Sequence, residues 1–149
     1  MVTKDTLDRA VFHYCGEIIN QNKVQRKSFK RHERNNSKIH WDYPAVVVTC
    51  CYNHRHPIKR DYSRGVRRIH LVSALASKLE ELGAIGDKCI LNNCKYIIGR
   101  CAEPHAANGL MKSVNCNLDE IYFSVALRPR TREVVDYCEN CRYVFSNLT

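Results

Sequence analysis

Three cysteines and one glutamate stand in a pattern with chemical meaning. Cys101-Ala102-Glu103 opens a stretch of helical character, and thirty-seven residues after Cys101 comes Cys138-Glu139-Asn140-Cys141, predicted to open a second helix directly after a strand. Metals bind the thiolate rather than the thiol, and a helix N-terminus favours that anion. Three protein ligands leave a tetrahedral zinc with one open position, which separates a catalytic site from a structural one. Zinc draws the pKa of a water held there toward neutrality. A carboxylate two residues from a ligand, on the same helical turn, can reach that water and move its proton. The expected metal ligands are therefore Cys101, Cys138 and Cys141, the expected proton carrier is Glu103, and the expected cofactor is zinc (Zn2+).

A lone Cys-x-x-Cys also occurs in redox pairs and in structural zinc sites, so the preceding Cys-x-Glu is what sharpens the pattern. Cys-x-Glu followed downstream by Cys-x-x-Cys is the order of the zinc-deaminase signature, in which the Glu is not a metal ligand. The wider segments GRCAEPHAANGL, IYFSVALRPRT and CENCRYVF, within roughly residues 97–145, resemble the C-terminal deaminase domains of bacterial polymorphic toxins in the cytidine-deaminase-like superfamily. The resemblance implies an α/β, three-layer fold: a central mixed sheet with helices on both faces, truncated after the last zinc-binding helix start. It also implies hydrolytic deamination of cytosine, less readily adenine, in single-stranded DNA or RNA, by a toxin or effector domain opposed by an immunity or inhibitor protein. Asn92 and Asn93, ahead of the motif, would hold the sugar. The sequence departs from the signature where Tyr137 stands in place of proline, and it stops eight residues after Cys141.

Charge points the same way. Of 24 Lys and Arg, thirteen fall between Asn22 and Arg68 against three acids, which leaves the rest of the chain near neutral. Such a concentration suits a polyanion, because each neutralised phosphate releases condensed counterions; a solvated basic face with no partner is the plainer alternative. Arg64, Arg67 and Arg68 are candidate phosphate contacts, and Trp41, Tyr43 and Tyr52 are aromatics placed to stack on unpaired bases. Two other functions remain open on the residues alone, a deaminase of free nucleosides or nucleotides and a non-catalytic zinc-stabilised nucleic-acid-binding module.

The 149 residues, 44% hydrophobic with six Gly and four Pro, suit one packed domain, with an N-terminal helix and basic arm over 1–40 and a catalytic core over 41–149. No apolar leader or membrane-length segment is present, so a cytoplasmic setting is expected, reached if need be by delivery into a target cell. Nine cysteines without an export signal suit a reducing compartment.

The elements that position the motif follow from periodicity. Residues 6–20 carry Leu7, Ala10, Val11, Tyr14, Ile18 and Ile19 at helical spacing behind Thr6 as N-cap, with the basic stretch beyond either a helix extension or an exposed arm. YPAVVVTCCY reads as a strand covered on both faces. NHRHPIKRDYSRG reads as a polar loop, and Val66, Ile69, Val72, Leu75, Leu79 and Leu82 as one helical stripe ending at Gly83. Short strands are expected at 96–98 and 120–127, with a helix from Cys101. Cys50, Cys51, His54 and His56 crowd together in sequence but match no zinc-ligand spacing, so the thiols are assigned to the strand and the histidines to the loop. His105 is expected to be solvated.

Overall fold

A computed structural model describes residues 1–32, 43–89 and 95–148. The chain is organised around β1 (Val47–Tyr52), whose first five residues are all buried. Alternate side chains leave a strand on opposite faces. Val48 and Cys50 enter one core with Leu75, Leu79, Ala106 and Phe145, while Val47 and Cys51 face the N-terminal helix beside Val11 and Leu7. Helices therefore cover both faces of the sheet, which is why β1 is apolar without alternation.

The helix on one face, α1 (Lys4–His32), starts earlier and runs further than its apolar stripe suggests. Its cap is Thr3 rather than Thr6: the two threonines exchange backbone N–H to Oγ1 bonds, each 3.2 Å, so Thr6 already lies in the first turn. Leu7, Val11 and Cys15, spaced by four, form the buried edge. The opposite face is covered by α2 (Ser73–Glu80), α3 (Ala102–Ser113) and α4 (Glu139–Val144).

Strand order is β2-β1-β4-β5, with β3 also paired to β1, where β2 is Arg55–Tyr62, β3 Ile121–Phe123, β4 Ala126–Leu127 and β5 Val134–Val135. Every strand pairing among the described residues is antiparallel, where a mixed sheet was expected. Connection length explains two of the pairings. The turn between β1 and β2 has only Asn53 and His54 at its centre, both at positive φ (45° and 58°), as a two-residue hairpin of the primed type requires. A short turn likewise joins β4 to β5, and parallel pairs need a long crossover.

Four other expectations are corrected. The segment read as a polar loop contains β2: an edge strand tolerates Pro57 and a polar outer surface, so neither composition nor alternation announced it. The apolar stripe from Val66 becomes helical only at Ser73. Residues 68–70 form a single 3-10 turn, and Ile69 is 80% exposed, so its place in the stripe was coincidental. Residues 96–98 contribute one isolated bridge, Lys88 to Ile97, rather than a strand. The strand expected over 120–127 is broken into β3 and β4 at Ser124 and Val125.

That break is built from side chains. The Thr49 N–H donates to Ser124 Oγ (2.9 Å), Ser124 Oγ donates to the Val125 carbonyl (2.8 Å), and the Val125 N–H donates to Asp8 Oδ1 on α1 (2.8 Å). Groups that would have continued the ladder are thus satisfied locally or by α1, and the strand re-enters the sheet at Ala126 with altered aim.

Candidate metal and proton-transfer site

Two chain segments converge to form the site. The first arrives through Gly99, whose φ of +85° is one that L side chains rarely adopt, and a Cβ there would stand 2.8 Å from Val66 Cγ1. This turn delivers Cys101 to the N-cap position of α3, where Ser, Thr, Asp or Asn would be the usual choice for helix stability. Cys101 makes no side-chain capping bond. Its sulfur points instead to Cys138 Sγ, 3.2 Å away.

The second segment carries Cys138 and Cys141 at the start of α4. That helix is anchored by Phe145, which is fully buried and meets Phe123 edge-on at 4.8 Å. Tyr137, standing where the deaminase signature has proline, is tied on three sides. Its hydroxyl donates to the Ser124 carbonyl (2.5 Å) and accepts from Lys4 Nζ (3.1 Å), while its own carbonyl accepts from Arg142 Nε (3.2 Å). Hydrogen bonds thus hold the approach to the cysteine pair in the absence of a proline ring. Asn140, between the two cysteines, donates to the Tyr96 carbonyl at 3.2 Å.

The sulfurs of Cys101, Cys138 and Cys141 all lie within 4.8 Å of one another, and this is the only such group of three found among the described residues. Thiolates bound tetrahedrally at ~2.3 Å from one zinc would sit about 3.8 Å apart. The 3.2 Å contact and the 4.8 Å limit stand on either side of that value, and an all-sulfur donor set suits zinc. The residues present therefore fit the metal that the motif implied. Cys138 is drawn down to about 3, first by thiol hydrogen bonds from Cys101 and Cys141 and then by the backbone N–H groups of Cys141 and Asn140. Cys101 is pushed up chiefly by its hydrogen bond with Cys138, and Cys141 by its hydrogen bonds with Cys101 and then Cys138, with burial adding to both. A bound cation would hold all three as thiolates.

Glu103 is 3% exposed, and Cys141 Sγ donates to its Oε2 at 3.6 Å. Burial is the main cause raising its carboxyl to about 7, and the Cys138 thiolate adds to the rise. A carboxyl poised near neutrality can both take and give a proton. Above it opens a cavity of about 160 Å³, walled by Val46, Ser63, Tyr96, Arg100 and Ala126 together with Cys101, Glu103 and Cys138. Ala45, Ile97 and Val135 complete its apolar lining and Asp136 adds a carboxylate, so Glu103 and the sulfurs of Cys101 and Cys138 face a pocket of mixed character.

The remaining candidates are scattered. Tyr52 ends β1 six residues beyond Val46, roughly 20 Å along the strand and away from the cavity. Arg68 pairs with Glu80 at 2.6 Å on the α2 side. Arg64 and Arg67 line a separate cavity of about 640 Å³ with His70, His105 and Lys112. His105 is buried there rather than solvated, with Nε2–H donating to the Arg64 carbonyl at 2.8 Å. Trp41, Asn92 and Asn93 lie outside the described residues. Cys50 and Cys51 point to opposite faces of β1, so these two and the two histidines are not gathered into a second metal site. Ser63 and Ala126 were missed because their nearness to Glu103 depends on the β2 edge and the strand break, whereas Arg100 directly precedes Cys101 and could have been named from the sequence. Comparison with protein-family models, curated proteins and solved structures finds no match.

Proposed function

We propose that this chain is a zinc-dependent hydrolytic deaminase of cytosine, less readily adenine, in single-stranded nucleic acid. The observation that carries the reading is the placement of Glu103: a buried carboxyl 3.6 Å from Cys141 Sγ, at the floor of a small cavity and beside three convergent thiols. A purely structural zinc has no use for such a group. Cys101, Cys138 and Cys141 would hold the metal, and the bound zinc would supply an acidified water as nucleophile. Glu103 Oε2 takes a proton from the attacking water, gives it to the ring nitrogen beside the amine-bearing carbon, and later delivers a proton to the departing amine. The balance is water in and ammonia out, with the C–NH2 bond replaced by C=O. Burial of Glu103 keeps the carboxyl basic enough for the first transfer.

Helices on both faces of the sheet and a Cys-x-Glu helix start support kinship with the cytidine-deaminase-like superfamily. The basic segment supports a polyanionic substrate, and an unpaired one, because the reacting carbon of a stacked base is out of reach. A toxin or effector role, with an immunity protein as partner, is proposed on the sequence resemblance. The test is expression of the wild type and Glu103→Ala in a bacterial host lacking uracil repair, followed by sequencing of DNA and RNA. Base conversions that require Glu103 support the proposal. Conversions in neither polymer, with rapid turnover of cytidine, would move the activity to free nucleosides.

A further inference from the structure

A second cavity lies on the far side of α3 from Glu103. About 640 Å³ in volume, it is enclosed between that helix and the loop that runs from Arg64 to His70. His105, Asn108 and Lys112 line it from α3, and at about 100° per residue they stand roughly 140–200° around the helix axis from Glu103. Two of these side chains pin the loop. His105 Nε2–H donates to the Arg64 carbonyl at 2.8 Å, and the Asn108 carboxamide donates to the His70 carbonyl (2.8 Å) while accepting the Val72 N–H (2.9 Å). The loop is thus tied to α3 at both ends, with the hollow between the ties.

The electrostatics of this hollow are one-sided. Arg64, Arg67 and Lys112 line it together with His70 and His105, and among the described residues no carboxylate does. Two neighbouring cations are already matched, Arg64 by Asp61 and Arg68 by Glu80 at 2.6 Å. Arg67 and Lys112 have no ion pair or side-chain hydrogen bond among the described residues, and the backbone N–H groups of Gly65, Val66 and Arg67 are likewise unclaimed there. Charges of one sign gathered at a concave surface raise its potential and draw in a counter-ion. A guanidinium supplies a planar fork of donors and an ammonium a compact point charge, and both are groups that proteins use to hold phosphate. Gly65 keeps the entrance open, since a Cβ there would meet nothing within 4 Å. The volume is in the range of roughly 300–1,000 Å³ typical of small-molecule clefts.

We propose that this cavity binds a phosphate group, held by Arg67 and Lys112 with the loop N–H groups of Gly65 and Val66 as further donors. The site is separate from the Glu103 cavity and does not depend on how that cavity is read. Its enclosed volume suits a small phosphorylated ligand of about nucleotide size. A phosphodiester in a strand presents the same kind of oxygen, and the two arms of the experiment separate these sources.

In the first arm the full chain is titrated with sodium pyrophosphate by calorimetry, beside the variants Arg67→Ala, Lys112→Ala and Gly65→Asp. The last sets a carboxylate in the open space at the entrance and removes no existing contact. Arg55→Ala is the charge control: Arg55 begins β2, roughly 23 Å along the strand from the end that enters the loop. Pyrophosphate is expected to bind the wild type and Arg55→Ala alike, and to bind each of the other three about 10- to 100-fold more weakly, with thermal unfolding unchanged. In the second arm an end-labelled ten-nucleotide single strand replaces pyrophosphate, at low and at high salt. Strand binding whose salt slope falls by about one for each of Arg67→Ala and Lys112→Ala and is unmoved by Arg55→Ala, where pyrophosphate does not bind, supports the phosphate site and names the polymer as its source. Binding of neither probe overturns the proposal. A loss in Arg55→Ala equal to that in Lys112→Ala also overturns it, because net charge alone then accounts for the affinity.

Discussion

Gly99→Ala tests whether the turn ahead of Cys101 is as constrained as its geometry indicates. An L residue at the φ of +85° observed there carries a backbone penalty of roughly 1–2 kcal/mol. The added Cβ would also stand 2.8 Å from Val66 Cγ1 and 3.4 Å from Ile85 Cγ2, an overpacking that costs about 1–3 kcal/mol. The substitution should therefore lower stability by about 2–5 kcal/mol, read as a shift of the urea midpoint at unchanged slope. Because Arg100 and Cys101 follow directly, zinc affinity should fall as well. The two contributions are separable. Val66→Ala removes the methyl that the new Cβ would strike, so the pair should be coupled favourably by about 1–3 kcal/mol while the backbone penalty remains. Coupling below about 0.5 kcal/mol would refute the steric argument, and a Gly99→Ala cost under about 1 kcal/mol would refute the backbone one.

Other outcomes follow from the same contacts. If the proposed activity is present, Glu103→Gln should lower kcat by about 10²- to 10⁴-fold with zinc content unchanged, and a loss of less than threefold would assign the proton transfer elsewhere. Chelation should lower the thermal midpoint and added zinc should restore it, whereas Cys141→Ser should blunt both responses, as metal titrations with calorimetry can record. Tyr137→Phe removes a donor to the Ser124 carbonyl and an acceptor for Lys4; a cost of about 1–3 kcal/mol in urea unfolding is expected, and no change would show the tether to be idle. Burial holds His105 below its ordinary 6.5, so the unfolded chain binds more protons below that pH and the fold should weaken as pH drops from 6.5. His105→Gln, which retains an N–H donor, should flatten this slope, and equal slopes in both proteins would exclude His105 as its source.

Where one local rule decided the outcome, the sequence was informative. Cys101 and Cys138 stand at helix starts, β1 is buried on both faces, and the three sulfurs converge, all as their types and spacing imply. The misreadings share a different cause. β2 is polar and contains Pro57, and only its pairing with β1 makes it a strand. The stripe that includes Val66 and Ile69 has helical spacing, yet the chain there is spent on reaching the wall of the site before α2 begins. Ser124 looks like an ordinary strand residue until Thr49 and Asp8 are seen to supply its neighbourhood. His105 follows Glu103 by two residues, and nothing local indicates that Arg64, forty-one positions earlier, offers it a carbonyl. In each case a partner distant in sequence overrode the local signal.

The clasp joining α1 to the strand break sets an order of events during synthesis. Lys4 reaches Phe123 and Tyr137 across 119 and 133 residues, and Asp8 reaches Val125 across 117. Loops of that size close late, since their entropy must be lost before any contact repays it. A nascent chain on the ribosome has therefore made α1, the β1–β2 hairpin and α3 long before the support beneath Tyr137 can form. During that interval Cys101 and Glu103 stand without Cys138 and Cys141, so the three-sulfur cluster that could hold a metal is incomplete until the last residues have docked.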